Sequence, residues 1–504
     1  MCSVNRLLAL AGLAIAVWLL DGCMSANQDG TPQGRNVLLI VADDLNCSIG
    51  SFGDSSAVTP HLDNLGEQGV RFSGAHCQYP LCGPSRTSFL TGLYPSQSGV
   101  RENRILLREA LPDVVTLPQL FRMHGYDVVR VGKLFHYDNP GEIGTSGQDD
   151  NPSWDETYNP SGRDKREEHL INSLVEGKFG CTLSWYRSLG EDMEYTDGMV
   201  AQIAEDKLDE FAKSGASFFL AVGFFRPHTP FLAPAKYFDL HPAEGIVVPN
   251  REEGALKKLP VPAQKSLRAK ASQLNVPLDT AKQVIQAYRA SVSFVDAQVG
   301  RVLDALQKNG LDKNTLVVFL SDHGYHLGEH GHWQKQTLFE QATKVPLIVR
   351  RPTDPEAGMR VQRPVELLDV YPTLATWAGI PYDASLPGVD LFADAGTTMA
   401  SKTGAYTEWR NGASLRTEQH RITRWGDGGS LGWELYDHSI DPEELNNVAA
   451  DEAHMETFDS LRCLLMQADS ACHLVPLAAG KRINDVKPIP RTPPLLKPPY
   501  PHTP

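Results

Sequence analysis

Short uninterrupted apolar runs alternate along this chain with stretches whose apolar residues recur every three or four positions. The runs cover residues 36–42 (NVLLIVA), 127–131, 217–223, 315–320 and 345–349. They are brief, partly β-branched, and lack the polar alternation of a half-exposed strand. That is the pattern of strands buried on both faces of a parallel sheet. The clearest helical period spans about 280–309, stops at Gly310 and leads directly into the fourth run. Strands alternating with helices predict an α/β fold built on a doubly wound, mostly parallel sheet. After about Ala400 the texture changes to short alternating stretches over 405–409, 421–425 and 433–436. These predict a small antiparallel sheet in a C-terminal α+β subdomain.

The two ends break the pattern. Arg6 precedes a charge-free apolar run of 14 residues, 7–20, which suits a signal-peptide core and is short for a ~30 Å hydrocarbon span. It closes on Leu20-Asp21-Gly22-Cys23, which resembles a bacterial lipobox with Asp21 as an atypical member. Lipidation at Cys23, plain secretion by nearby cleavage, and an uncleaved anchor are the three readings. Each exports the mature chain, to the periplasm or to the outer membrane or cell surface as a lipoprotein, with the membrane engaged only through a lipid anchor. Disulfides are permitted there, and Cys463 and Cys472 are close enough in sequence to close a small loop. The expected division is a signal peptide over 1–23, a tether over 24–35, a catalytic domain over 36–395, a subdomain over 396–475 and a tail over 476–504. Its final 17 residues hold 8 prolines and read as extended polyproline II. The charge sum of 47 − 61 = −14 excludes a broad basic surface, so no nucleic-acid partner is expected.

In a doubly wound sheet the ligand crevice lies beyond the carboxyl ends of the strands, so polar residues that follow apolar runs carry most information. Asp43-Asp44 follows the first run, Lys133 and His136 the second, Arg226-Pro227-His228 the third and Asp322-His323 the fourth. One acidic pair reads as a solvated turn. Two pairs at two strand ends would gather three carboxylates and an imidazole at one edge, where mutual repulsion calls for a cation. Oxygen-rich donors favour calcium or magnesium over zinc, with the imidazole keeping the metal open.

A second cluster is Cys82-Gly83-Pro84-Ser85-Arg86, continued to Thr91-Gly92. Pro84 suits a first helical turn and Gly92 a stop, which sets Cys82 at a helix N-terminus with Arg86 one turn along. By residues alone this is either an anion site holding a nucleophile or a buried structural cysteine beside a surface arginine.

The pentapeptide, with Leu90-Thr91-Gly92-Leu93-Tyr94-Pro95 downstream, resembles the signature of type I, formylglycine-dependent sulfatases. Thr59-Pro60-His61-Leu62-Asp63 and the stretch from Glu434-Leu435-Tyr436-Asp437 to Asn446-Asn447 resemble further motifs of that family. The resemblance covers about residues 36–450 and implies an alkaline-phosphatase-like fold. Within the family, His323 after Asp322, the K-x-x-H spacing of Lys133 and His136, the segment 328–335 (GEHGHWQK) and 226–231 (RPHTPF) resemble iduronate-2-sulfatases.

The resemblance implies calcium, with magnesium second, held by Asp43, Asp44, Asp322 and His323 together with Cys82 converted to 3-oxoalanine. The hydrated aldehyde of that Cα-formylglycine would be the nucleophile, made by a formylglycine-generating or sulfatase-maturating enzyme. Arg86 would steady it, and Lys133 and Lys335 would neutralise sulfate oxygens. His228 is the candidate acid at the leaving oxygen and His136 the candidate base at residue 82, two roles open to exchange or to sharing with Lys335. The implied substrate is a sulfated polysaccharide or oligosaccharide, with the 2-O-sulfate of iduronate or a related uronic acid foremost. A sulfatase for another sulfated sugar, a phosphonate or phosphodiester hydrolase, and a non-enzymatic sulfated-glycan-binding lipoprotein are the alternatives. His326, His330 and His332 are expected to line the sugar site, with a second metal as the other reading. Tyr325 and Trp333 are read as sugar contacts or rim packing, and residues 151–166 as a loop over the cleft or a disordered stretch.

Overall fold

The computed structural model describes residues 34–249, 254–393 and 402–489. The lipobox, most of the tether and the last 15 residues lie outside the described residues. The core is an eight-stranded sheet. Its strands, in chain order, are β1 (Asn36–Asp43), β2 (Val70–Phe72), β3 (Asp127–Gly132), β4 (Glu156–Tyr158), β5 (Phe218–Pro227), β6 (Thr315–Ser321), β7 (Leu347–Arg350) and β8 (Arg360–Val361). Their order across the sheet is β8-β2-β7-β6-β1-β5-β3-β4.

The apolar runs are continuous because both faces are covered. Leu38, Ile40 and Ala42 of β1 point into one core, while Val37, Leu39 and Val41 point into another. The first core is roofed by α4 (Thr196–Ser214) and the 31-residue α5 (Leu278–Lys308). The second is roofed by α2 (Cys82–Thr91), α3 (Leu117–Met123) and α6 (Val370–Ala378). A nine-residue helix, α1 (Pro60–Gln68), follows β1 on the first side.

β1 pairs in parallel with β5 and β6, and β3 pairs in parallel with β5 and β4. The run at 345–349 departs from the parallel expectation, since β7 lies antiparallel to β6. The chain between them holds a short hairpin, His326–Leu327 with Trp333–Gln334, and the four-residue helix Glu340–Thr343. With no crossover helix to return it to the far edge, it re-enters the sheet from the edge it left. Residues 151–166 contain edge strand β4 and the helix Arg163–Arg166, so they extend the sheet rather than cover a cleft.

The C-terminal part is a four-stranded antiparallel meander, β9 (Ala405–Trp409), β10 (Gly412–Arg416), β11 (His420–Trp425) and β12 (Gly432–Asp437). It is backed by α7 (Met455–Cys472), whose Leu461 and Leu465 meet Leu415, Ile422 and Leu435. Cys463 and Cys472 both lie on α7, the first exposed and the second buried. Nine residues along a helix separate them by roughly 13 Å, so the small disulfide loop does not form. β9 is stitched to the segment that leads into α2, with Glu408 N–H donating to the Gln78 carbonyl at 2.9 Å. Among the described residues no helix is long and apolar enough to cross a membrane.

Candidate active site

The site lies at the carboxyl edge of β1, β3, β5 and β6. β1 ends on Asp43, after which Asp44 takes a left-handed backbone conformation (φ 65°) that short polar side chains tolerate. The turn is held by Asp44 N–H donating to Asp322 Oδ1 at 3.1 Å and Leu45 N–H to Ser321 Oγ at 2.9 Å. A register shift between β1 and β5 brings Pro227 opposite Asp43, so His228 arrives beside the aspartates. Arg226 is anchored on buried Asp164 at 3.0 Å, and His228 Nδ1 lies 2.7 Å from the Thr229 carbonyl.

Cys82 is the first residue of α2, which closes at Gly92 with φ 72°. Arg86, fully buried one turn along, donates from Nε to Asp322 Oδ2 at 2.9 Å and from Nη2 to Asp43 Oδ1 at 3.1 Å. Its Nη1 reaches the carbonyls of Lys133 and Leu134 at 2.8 and 2.9 Å. Lys133 Nζ lies 2.5 Å from Asp43 Oδ2, and Lys335 Nζ lies 2.6 and 2.7 Å from the two oxygens of Asp44. The arginine is therefore no surface group. It ties three strand ends together.

Three carboxylates, Asp43, Asp44 and Asp322, thus face three cationic side chains, Arg86, Lys133 and Lys335. Repulsion among the carboxylates is already answered by the protein, so the case for a cation rests elsewhere, on His323. Its Nδ1 is 3.0 Å from the Gly324 carbonyl, which can only accept, so Nδ1 carries the hydrogen. The other nitrogen then turns its lone pair toward Asp44 Oδ1 at 3.3 Å and Asp322 Oδ2 at 3.7 Å, with Cys82 Sγ at 3.2 Å. A hard cation among these donors would satisfy them together, and the donor set of carboxylate oxygens plus one imidazole fits such an ion.

Burial alone would raise the Asp43 carboxyl, but Lys133, His228, Arg86 and Lys335 outweigh it and hold it well below the usual range. At Asp44 burial wins over Lys335 and His323, and the carboxyl is raised. Burial also pushes the Cys82 thiol well above its ordinary value despite Lys335. An unconverted Cys82 is protonated at neutral pH and a weak nucleophile. His228 is held neutral by burial and then by Lys335, and burial brings His136 down to about 4 although Asp138 opposes it.

The structure brings Asp43, Asp44, Cys82, Arg86, Lys133, His228, Asp322, His323 and Lys335 into one cluster. His136 stands farther out, with Nε2 3.4 Å from Asp138 and Nδ1 buried without a partner. His228, by contrast, groups with Asp44 and Cys82 within 4.8 Å. The histidines of the 326–332 segment join no metal-type cluster among the described residues. His326 meets Thr337 Oγ1 at 2.8 Å, His330 stacks on Phe339, and His332 lies between the carbonyls of Leu267 and Lys335. Tyr325 is fully buried against Tyr288 and Phe231, and Trp333 is buried in the same core, so both are packing residues. Sequence reasoning missed Asp164, the anchor of Arg226, and Lys270, which bonds Gln334 beside Lys335. A lone acid or lysine outside any motif gave no signal.

A buried cysteine at a helix mouth, set among paired lysines and carboxylates on an alkaline-phosphatase-like sheet, defines a hydrolase for an anionic ester. The family model described as Sulfatase matches residues 35–380, and that of the N-sulphoglucosamine sulphohydrolase C-terminal region matches 328–471. The chain belongs to the sulfatase family and is a sulfuric ester hydrolase. It is 34% identical over 453 residues to a sulfatase of Formosa agariphila, covering 86% of this chain and 87% of the relative. It is 34% identical over 402 residues to the iduronate 2-sulfatase of Mus musculus, covering 72% of each. Among solved structures, the phosphonate monoester hydrolase of Agrobacterium radiobacter shares the fold, with a TM-score of 0.74 at 23% identity over 88% of this chain and 97% of the other.

Proposed function

We propose that this sulfatase removes the 2-O-sulfate of iduronate, or of a related uronic acid, from glycosaminoglycan-type poly- or oligosaccharides. The observation that carries this reading is the 34% identity to an iduronate 2-sulfatase across 72% of both chains. Calcium, held by Asp43, Asp44, Asp322 and His323, and a formylglycine formed from Cys82 would supply the Lewis acid and the nucleophile. A maturating enzyme is the partner that makes the second.

The remaining work falls to this chain's own side chains. Arg86 fixes the strand ends, so the floor of the site does not rearrange as charge develops. Lys133 and Lys335 present ammonium groups where the three sulfate oxygens gain charge. His228, neutral and the one of the two candidate histidines grouped with residue 82, is the proton acceptor there. His136, at the outer side, carries the proton for the leaving sugar oxygen once an anionic ester raises its affinity for one. This takes the exchange that the resemblance left open, because of the two histidines only His228 groups with Cys82. Sulfate release from 2-O-sulfated uronic acid disaccharides, beside 6-O- and N-sulfated ones, tests the reading. Release confined to the 2-O-sulfated uronates is expected. Release confined to other sugars would overturn the substrate, and faster cleavage of phosphonate esters would overturn the reaction.

A further inference from the structure

The two walls that flank the aspartates are joined by one ammonium group outside the motifs. On the His228 side, the Thr229 hydroxyl donates to the Gly180 carbonyl at 2.9 Å, and the next carbonyl, that of Cys181, accepts Lys270 Nζ at 2.7 Å. On the other side the same Nζ donates to Gln334 Oε1, and Gln334 is the residue before Lys335. Lys270 thereby stands between the segment carrying His228 and the segment carrying Lys335. Its partners are neutral oxygens, and among the described residues no carboxylate pairs with it.

The Gln334 side chain is 4% exposed, yet its Nε2 has no hydrogen-bond partner. That amide sits beside the Lys270 ammonium because the two share Oε1. Gln334 also holds a left-handed backbone conformation, φ 84°, which a residue of its kind adopts only when its surroundings impose it. Burial and the charge on Lys335 bring the Lys270 ammonium down to about 8, as expected of a cation that lacks a counter-anion. A cation and an unpaired amide N–H side by side are the donors a carboxylate takes.

We infer that Lys270 and the Gln334 amide form a second anion subsite next to the sulfate-binding lysines, and that its occupant is the carboxylate of the sugar that bears the sulfate. In a pyranosiduronate the C5 carboxylate lies across the ring from C2, so a 2-O-sulfate over Cys82 leaves the carboxylate free to reach the cleft wall. The inference rests on the proposed uronate substrate and says what recognises it.

The test measures binding of a 2-O-sulfo-uronate disaccharide and its carboxyl-reduced analogue to Cys82→Ala protein, with residue 270 as Lys, Gln or Arg. With Lys270 the carboxylate form should bind about ten- to a hundredfold tighter, the worth of one charge-assisted pair. With Lys270→Gln the two ligands should bind within about threefold of one another, and Lys270→Arg, which keeps the charge, should retain most of the preference. A preference that survives Lys270→Gln, or its absence in the Lys270 protein, overturns the subsite. Loss of both ligands from Lys270→Gln together with a lowered melting temperature also overturns it, and leaves Lys270 as a clamp between the walls. Sulfate release by the unsubstituted enzyme reports separately: if uronates are not desulfated, the substrate reading falls while the affinity ratio still decides the subsite.

Discussion

At the scale of single residues, Asp43 and Arg86 on the floor of the site are each doubly used. Asp43 accepts from both Arg86 and Lys133, so loss of either cation leaves a fully buried carboxylate short of a partner. Arg86→Met strands both Asp43 and Asp322, and by the usual cost of breaking a buried pair it should lose about 3–5 kcal/mol of stability, read by denaturant unfolding. Lys335 pairs with one carboxylate only, the fully buried Asp44. Lys335→Met leaves Asp44 without its cation, so the melting temperature should fall, though by less than in Arg86→Met, which strands two carboxylates, while kcat/KM for sulfate release falls about 10²–10³-fold, the cost of removing one preorganised donor. In its proposed role His228 accepts a proton in the neutral form, and burial with Lys335 pushes its protonation well below the ordinary histidine value. Activity should thus fall only as pH drops through that lower value, and a bound cation would move the limb further down. His228→Gln should erase this acid limb from the kcat/KM profile.

Among the secondary-structure elements, one tight constraint lies between β3 and β5. Lys133 N–H donates to the Gly223 carbonyl at 2.8 Å, and a Cβ on Gly223 would fall 1.9 Å from the Lys133 carbonyl oxygen. Gly223→Ala must push the start of the Lys133 segment off the sheet. It should lower both melting temperature and sulfate release, whereas alanine at Gly215, where nothing lies within 4 Å, meets only the cost of its φ of 70°. The apolar runs made β1, β3, β5 and β6 legible, because strands covered on both faces leave no polar alternation to mislead. The short strands β2, β4 and β8 were not, being two or three residues long, with too little pattern to carry a period. At the site, the residues that follow strand ends or sit in the cysteine motif were readable as chemistry. Of the readings left open, the surface one for Arg86 and the sugar-contact or rim ones for Tyr325 fail on burial, which is set by what packs over a residue and not by its own type.

Over the whole molecule, the site draws on segments from Asp43 to Lys335, with β9 stitched beneath α2 by the Glu408–Gln78 bond. No part of the chain can present the carboxylates, the lysines and the cysteine without the rest. A cation bound only by the folded chain should therefore stabilise all of it, by about 2.7 kcal/mol at a hundredfold excess over its Kd. Dialysis against a chelator should lower both activity and the melting temperature, and calcium should restore both; an unchanged melt with lost activity would point away from these four ligands. The burial of Cys82, 1% exposed in the finished structure, sets a clock on biosynthesis. Were Cys82 converted as proposed, a protein catalyst acting on its sulfur would have to reach it while the chain is still open, so the working fraction of a preparation would follow a race between maturation and closure, and faster synthesis would yield more folded chains that never turn over.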